Sequence, residues 1–194
     1  MSSVSKNKSD IILQAALEQF AENGFHRSPV SQLATLAGVG VGSIYRYFKD
    51  KDELIHAVFT MVDAALQKAM VTHLDSNLSD QQQFIQLVTN LIHYLHARPQ
   101  EFKFLEQYYS SPYSIQTKRA TFLHEDSTNP ANPFVIFFTD STKRTIKELP
   151  LSLYLAMAFG PAIFLLRNSL SGVVTLDETL IQQTAEASWN AIKI

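Results

Sequence analysis

The stretch GVGVGSIYRYFKDKDEL, Gly38–Leu54, decides how this 194-residue chain is interpreted. Three glycines stand at alternate positions, and aromatic and basic side chains follow them. A dinucleotide-binding loop needs a buried strand before it and a glycine at the sixth position, where this chain has Ser43. The preceding segment has a helical period instead, and the G-K-[ST] of a Walker loop is absent. The glycines therefore predict a turn that lets two helices pack closely.

Periodic apolar residues predict helices on both sides of this turn. A first helix ends near Gly24, and a second begins with Ser28 as its N-cap. A third short helix follows the turn, and a fourth begins at the capping pair Asp50 and Glu53 and runs to about His73. Three helices in about 40 residues, with a glycine turn between the last two, are the helix-turn-helix plan.

The third helix presents a basic and aromatic surface. If Ile44 and Phe48 point inward, helical geometry turns Ser43, Arg46 and Tyr47 outward. Such side chains donate hydrogen bonds to DNA phosphates, and arginine also reads guanine edges. The alternative is a solvated basic face over core aromatics. We favour DNA contact and assign to it Arg27, Ser28, Val41, Gly42, Ser43, Tyr45, Arg46, Tyr47, Lys49 and Lys51.

The segment VSQLATLAGVGVGSIYRYFKDKDEL closely resembles the amino-terminal DNA-binding motif of the TetR (tetracycline-repressor) family of bacterial regulators. The match falls on Leu33-Ala34, Ala37-Gly38-Val39, Gly42-Ser43-Ile44-Tyr45, Tyr47-Phe48, Lys51 and Leu54. Departures are Gly40, where the family more often has serine, and Pro29, where a hydroxyl residue is common. The resemblance implies that Ser43, Tyr45, Tyr47 and Lys51 contact the DNA backbone, and that Arg46 stands at a position that varies with the operator.

Composition is that of a soluble globular protein, with 46% hydrophobic and 18% charged residues and a net charge of -2. The charge is +2 through Lys51 and -4 beyond it, which favours a local anion-binding surface in the first part. There is no cysteine, and the polar start has no apolar core typical of a secretory signal. The apolar run Leu151–Leu166 is shorter than a membrane span and contains Gly160-Pro161. We expect a cytoplasmic protein without a membrane partner.

In the rest of the chain, the periodic apolar residues predict further helices at about 80–97, 99–109, 114–125, 133–149, 151–170 and 177–192. The resemblance implies an all-helical second domain, so we expect a helix-turn-helix domain at 1–52 and an effector-binding and dimerisation domain at 53–194. Nine of the 13 phenylalanines lie beyond residue 80, which permits a pocket but also fits an ordinary core. Our candidate ligand-binding residues are Tyr94, Phe104, Tyr108, Phe137 and Phe159.

The segment 151–170 is apolar almost all round, and a helix without a polar face must be covered everywhere. Together with the last helix it is our candidate homodimer interface, the alternative being complete burial within one protomer. The candidate interface residues are Ala158, Ala162, Leu166 and Trp189.

The sequence offers little for catalysis or metal binding. His93 and His96 are three apart on one predicted helix, but no third ligand stands at a supporting spacing nearby. No G-x-S-x-G or paired-carboxylate motif is evident. We expect no cofactor, no metal and no enzymatic activity.

The sequence therefore favours a ligand-responsive transcriptional regulator that binds a palindromic double-stranded DNA operator as a homodimer, and the resemblance implies that it is a repressor. We expect an apolar or aromatic small-molecule effector to release it by tilting the fourth helix. The alternative is a helical small-molecule or lipid-binding protein, or an enzyme, with only a vestigial DNA-binding head.

Overall fold

Local capping signals set many of the helix ends in the computed structural model, which describes residues 7–75, 77–123, 133–140 and 145–194, the side chains of 120–123 excepted. Across these residues the predicted all-helical fold is confirmed. The described residues contain one isolated β-bridge, between Ile146 and Lys193, and no β-strand. The elements are α1 Lys8–Asn23, α2 Val30–Leu36, α3 Val41–Tyr47, α4 Lys51–Met70, α5 Asp80–His96, α6 Pro99–Tyr109, a 3-10 turn Pro112–Ser114, α7 Ile115–Leu123, α8 Pro133–Thr139, α9 Leu151–Leu170 and α10 Glu178–Ile192.

Short polar residues cap the helices where the sequence predicts helix starts. The Ser79 side chain and the Gln82 side chain form a reciprocal capping box at the start of α5. The carboxylate of Asp177 accepts a hydrogen bond of 2.8 Å from the Leu180 amide at the start of α10. At the end of α1, Gly24 has a φ of 76° and its amide donates to the Phe20 carbonyl. A residue with a side chain rarely adopts that φ, so glycine is the residue that suits this helix end.

Two predicted elements differ from the structure. Helix α2 begins at Val30 with Pro29 at its N-cap and without a side-chain cap, so the prediction of Ser28 as the N-cap is wrong. The helix predicted at 133–149 ends at Thr139. Residues 141–144 lie outside the described part, and residues 145–149 are not helical. They run beside the end of the chain, where the Lys147 amide donates to the Ile192 carbonyl at 2.8 Å.

The chain divides into two compact units. The first contains Met1–Ala64 together with Gln100–Ile115, and the second contains Ala65–Pro99 together with Gln116–Ile194. Helix α6 therefore packs with the amino-terminal helices although about 35 residues separate it from Ala64 in sequence. The domains predicted at 1–52 and 53–194 stay a prediction.

Aromatic rings from distant parts of the sequence form the core of the first unit. Phe20 and Phe25 contact each other edge to face at 5.5 Å, and Phe104 of α6 packs against both. Tyr108 stacks on Phe59 of α4 with ring centroids 4.1 Å apart. Because these rings bury large apolar areas, α6 contributes much of the apolar packing beneath the amino-terminal helices.

The second unit is built on the packing of α5, α9 and α10. Phe84 of α5 is fully buried and contacts Trp189 of α10 at 5.6 Å. Its ring also lies within 6.2 Å of the α8 rings Phe134, Phe137 and Phe138. These contacts account for several of the phenylalanines beyond residue 80 as core.

Helix α9 is continuous through Pro161 and has 20 residues, so the length argument made from the apolar run Leu151–Leu166 does not hold. By length and composition it is the one described helix that could cross a membrane, and a third of its most apolar window is buried. One face packs into the second unit. The other face leaves Leu153 and Phe164 exposed, the latter by 66%. The alternative of complete burial within one protomer therefore does not hold for the whole helix.

Candidate nucleic-acid interface

The turn between α2 and α3 is a helix-ending motif built around Gly38. Its φ is 64°, its amide donates to the Thr35 carbonyl at 3.1 Å, and the Val39 amide donates to the Ala34 carbonyl at 2.9 Å. These two bonds and the left-handed residue define a Schellman motif, which satisfies carbonyls that the end of α2 would leave unpaired. The predicted glycine turn is confirmed at this position.

The two other glycines have a different character. Gly40 has a φ of -76° and a ψ of 151°, which most residues adopt, and Gly42 lies in α3. A Cβ added at either position would meet no atom within 4 Å, and neither has a positive φ. The prediction that these glycines let the two helices pack closely is therefore wrong, since neither packing nor backbone conformation requires them.

Helix α3 separates an apolar side from a polar one. Ile44 and the residue after the helix, Phe48, are 2% and 7% exposed, which confirms their predicted inward direction. Tyr45 is 50% exposed, and the Arg46 guanidinium lies 5.7 Å from the ring centroid of the exposed Tyr47. A stacked arginine keeps its hydrogen-bond donors available while its orientation is restrained.

Reciprocal hydrogen bonds fix the start of α4. The Asp50 carboxylate accepts from the Glu53 amide at 2.8 Å, and the Glu53 carboxylate accepts from the Lys49 amide at 2.6 Å. The predicted capping pair is present, with Lys49 rather than Asp50 as the backbone donor to Glu53. Its effect is to tie the segment between α3 and α4 to the first turn of α4.

Lys51 lies at the first position of α4 and is half-buried. Desolvation lowers the pKa of Lys51, although the neighbouring Asp52 carboxylate acts in the opposite direction. The Tyr113 hydroxyl donates to the Asp52 carboxylate at 3.0 Å, and its ring packs edge to face on Phe25 at 5.4 Å. Sequence reasoning missed Tyr113, because 61 residues separate it from Asp52 and no local pattern marks the pair.

The ten predicted DNA-binding residues do not all lie on the surface. Ser28 is completely buried, and its hydroxyl oxygen lies 2.7 Å from the Gly24 carbonyl oxygen and 3.2 Å from that of Gln19. The prediction that it contacts DNA is thus contradicted, because its hydroxyl holds together the turn after α1. Ser43 and Lys51 are half-buried, and the exposed members are Arg27, Val41, Gly42, Tyr45, Arg46, Tyr47 and Lys49.

The four predicted dimer residues are buried inside the second unit. Ala158, Ala162 and Leu166 are 0% exposed and Trp189 is 4% exposed. Their side chains belong to the protomer's own core, so the prediction that they contact a partner chain is wrong. The sequence identified the helix but not its face, since a helix that is apolar all round carries no periodic signal of direction.

The five predicted ligand-binding residues are divided between the two units. Phe104 and Tyr108 are fully buried in the first unit, whereas Tyr94, Phe137 and Phe159 belong to the second. Phe159 contacts the Phe134 ring at 4.6 Å, and the Tyr94 ring lies under the Arg98 guanidinium at 4.2 Å. The assignment of the five to one ligand site stays a prediction.

The two histidines of α5 have neighbours that sequence spacing did not reveal. His93 Nε2 lies 3.3 Å from a Glu178 carboxylate oxygen, and His96 Nε2 lies 3.2 Å from the Ser169 hydroxyl. Among the described residues, no three His, Cys, Asp or Glu side chains are grouped so as to hold a metal ion. These contacts link α5 with α9 and with the start of α10.

Two family models match the chain. One is described as "Bacterial regulatory proteins, tetR family" and matches residues 12–58. The other is described as "Tetracyclin repressor-like, C-terminal domain" and matches residues 80–193, which is more than half of the chain.

Individual proteins that are similar to the chain are also named as regulators. The chain is 50% identical over 48 residues to the "Fatty acid metabolism regulator protein" of Bacillus subtilis (strain 168), covering 25% of each protein. It is 34% identical over 105 residues to an "Uncharacterized HTH-type transcriptional regulator" of Haemophilus influenzae, covering 52% of this chain and 54% of that one. The chain thus spans a quarter to about half of the length of these relatives. A crystal structure of a TetR family transcription regulator from Marinobacter aquaeolei VT8 shares the fold, with a TM-score of 0.82 and 22% identity over 96% of this chain and 95% of that chain.

Proposed function

Because the chain belongs to the TetR family of bacterial regulatory proteins, we propose that it is a ligand-responsive repressor that binds a palindromic DNA operator as a homodimer. The observation that carries the proposal is the geometry of α3. A Schellman turn presents this short helix with Ile44 buried and with Tyr45, Arg46 and Tyr47 on the surface. Its relatives are named as transcriptional regulators, which points to a protein that is not an enzyme.

In this proposal the exposed side chains and the half-buried Lys51 divide into two roles. Tyr45, Tyr47, Lys49 and Lys51 bind phosphates, which fixes the position of the protein on the duplex. Arg46 reads a base edge in the major groove, where a bidentate contact to guanine discriminates by about 1–3 kcal/mol. Binding a phosphate would also restore the interactions that partial burial takes from the Lys51 ammonium group.

The dimer proposal uses the surface that α9 leaves open. Leu153 and Phe164 are exposed apolar residues on this helix, and Gly160 and Pro161 are exposed as well. Apolar side chains of this size gain about 1.5–3 kcal/mol on full burial, so a second copy that covers them is favoured. Two heads in a dimer must contact successive major grooves, with half-sites about 34–36 Å apart.

The effector proposal rests on helix α4. It is continuous over Lys51–Met70, about 30 Å long, with residues 51–64 in the first compact unit and 65–70 in the second. A tilt of such a helix would move its first turn by ångströms. We propose an apolar or aromatic effector that contacts the aromatic residues Tyr94, Phe137 and Phe159 of the second unit. Tyr94 and Phe159 keep partial exposure and are therefore the first that it would reach. We also propose that the protein works in the cytoplasm.

The deciding experiment is the selection of bound sequences from a random pool of duplex DNA, followed by titration of the enriched site at several salt concentrations. We expect a palindromic site and an affinity that falls steeply with salt. Lys51→Ala should flatten the salt slope by about one unit per half-site, whereas Arg46→Ala should relax the preference at one base pair. Lys68→Ala, an exposed lysine in the last turn of α4, is the matched control and should change neither. No enrichment from the pool would refute the proposal.

Effector candidates are tested by titration with and without the operator. The panel includes fatty acids, because one relative is named a fatty acid metabolism regulator, and aromatic compounds. Thermodynamic reciprocity requires the operator to weaken binding of a true inducer by the factor with which the inducer weakens operator binding. A ligand with the same affinity in both titrations is not the inducer. If every bound ligand behaves so, release by an effector is refuted.

A further inference from the structure

Gly40 and Gly42 leave an open edge at the start of α3 that the fold itself does not explain. A Cβ at either position would touch nothing, and both backbones have conformations open to other residues. Glycine weakens a helix relative to alanine, so Gly42 costs stability without a compensating contact inside the protein. The missing side chains therefore point to something outside the chain that approaches this edge closely.

Val41 stands between these two glycines as the first residue of α3. It is 39% exposed, although the apolar residues Ile44 and Phe48 of the same region are buried. Both neighbours are glycines, so no side chain of residue 40 or 42 covers the isopropyl group of Val41. An exposed valine here is accessible to a partner that offers a small apolar group.

The chemistry of α3 and of the residues just after it points to DNA as that partner. Tyr45, Arg46 and Lys49 are exposed there, and they suit phosphates and base edges rather than an apolar protein surface. In a helix-turn-helix protein, the first residues of the second helix contact base edges in the major groove. The one apolar group that a base pair presents there is the 5-methyl group of thymine.

We propose that Val41 contacts the 5-methyl group of a thymine in each half-site, and that Gly40 and Gly42 let the base pair come within contact distance. The inference rests on the proposed function and adds a specificity determinant to it. Arg46 supplies hydrogen bonds to one base pair, and Val41 selects thymine at another by apolar contact. Because cytosine and uracil lack this methyl group, the contact distinguishes thymine from both.

The test is a uracil scan of the selected operator with the full-length protein. Each thymine is replaced in turn by deoxyuridine at symmetric positions, which removes only the methyl group. At one position we expect the affinity to fall about fourfold per half-site, the free-energy equivalent of one buried methylene. In Val41→Ala the same replacement should have little further effect. The control variant Val71→Ala changes another exposed valine, and in this variant the uracil replacement should keep its full effect.

Gly42→Ala tests the role of the open edge. The variant should melt at the same temperature as the wild type or higher, since the added methyl group meets no atom of the protein. Its operator affinity should nevertheless fall about tenfold or more, on the scale of overfilling a packed contact by one methyl group.

Each outcome separates this inference from the function on which it rests. A specific operator whose affinity is indifferent to every uracil replacement refutes the thymine contact and leaves the regulator intact. An effect of uracil that persists undiminished in Val41→Ala assigns the methyl contact to another residue and also refutes the inference. A Gly42→Ala variant with wild-type affinity refutes the role of the open edge. Failure to find any specific site would refute the proposed function and this inference together.

Discussion

Replacing Tyr108 tests whether α6 belongs to the core beneath the DNA-binding helices. Tyr108 is 0% exposed, and its hydroxyl oxygen lies 3.1 Å from Nδ1 of His56 in α4. Its ring stacks on Phe59 of α4 with a centroid distance of 4.1 Å and an interplanar angle of 9°. The residue therefore connects α6 with α4 by both a polar and an apolar contact, and two substitutions separate these contributions.

The expected magnitudes follow from what each substitution removes. Tyr108→Phe keeps the ring and deletes the hydrogen bond, which should lower the free energy of unfolding by about 0.5–1.5 kcal/mol. We expect the lower half of that range, because His56 is half-buried and water can replace the lost partner. Tyr108→Ala also removes the stacked ring and leaves a cavity, so it should cost about 3–5 kcal/mol. A loss of that size would open the first unit in a measurable fraction of molecules.

The assay is native-state hydrogen exchange, which measures the opening of each helix separately. A single global unfolding transition is less informative, because a chain with two compact units need not unfold in one step. In Tyr108→Ala the amides of α1 and α4 should lose protection, and operator affinity should fall with the folded fraction of the first unit. The matched control is Phe84→Ala, an equally buried ring in the second unit, which should lower protection first in α5 and α10. If Tyr108→Ala leaves α1 and α4 fully protected, α6 is not part of their core and the reasoning fails.

Three further predictions concern the turn, the start of α4 and the dimer. Gly38→Ala should lower the free energy of unfolding by about 1–2 kcal/mol, the cost of a left-handed residue with a Cβ, measured by urea denaturation. Tyr113→Phe should cost about 0.5 kcal/mol, since its exposed hydrogen bond to Asp52 is lost. Burial and, after it, the hydrogen bond to Asp52 raise the pKa of Tyr113 in the folded protein above its usual value. The contribution of this tyrosine to the free energy of unfolding is therefore present below pH 10, and it disappears as the pH rises through the raised pKa. Phe164→Glu should turn a sedimenting dimer into folded monomers, because a partner would bury the charge.

Each of these three predictions has its own result that would contradict it, and the dimer prediction also has a control variant. For Gly38→Ala, an unchanged denaturation midpoint would contradict the strain argument. For Tyr113→Phe, the difference from the wild type should shrink between neutral pH and pH 11, and a constant difference would exclude the titration. For the dimer, Ile136→Glu places the same charge on another exposed apolar residue and should leave the dimer intact. A Phe164→Glu protein that still sediments as a dimer would remove α9's open face from the interface.

Much of the helical framework could be predicted because local groups set it. The starts of α5 and α10 at Ser79 and Asp177, and the turn at Gly38, depend on hydrogen bonds between residues at most five apart. The helix bounds 99–109 and 151–170 were predicted as the structure has them. The helix expected through residue 149 failed because the partner of residues 145–147 is the end of the chain, which no local pattern reveals.

The candidate site divides in the same way. The sequence identified α3 and the outward direction of Arg46 and Tyr47, because one buried face with period 3.6 fixes the direction of the other. It misplaced Ser28, whose surroundings depend on how the chain turns after α1, and it gave Gly40 and Gly42 a packing role that they do not have. It also missed Tyr113, which reaches Asp52 from 61 residues away.

By itself, the sequence determined that this protein is helical, where most helices begin and end, and that its opening region resembles a DNA-binding head. Only the tertiary structure decided that α6 completes the core of that head and that Ala158, Ala162 and Leu166 turn inward. The reason is the range of the interactions. Caps and turns are hydrogen bonds between near neighbours and are written in a few adjacent residues. Burial depends on which distant segment supplies the covering surface, and the same apolar pattern is compatible with more than one partner.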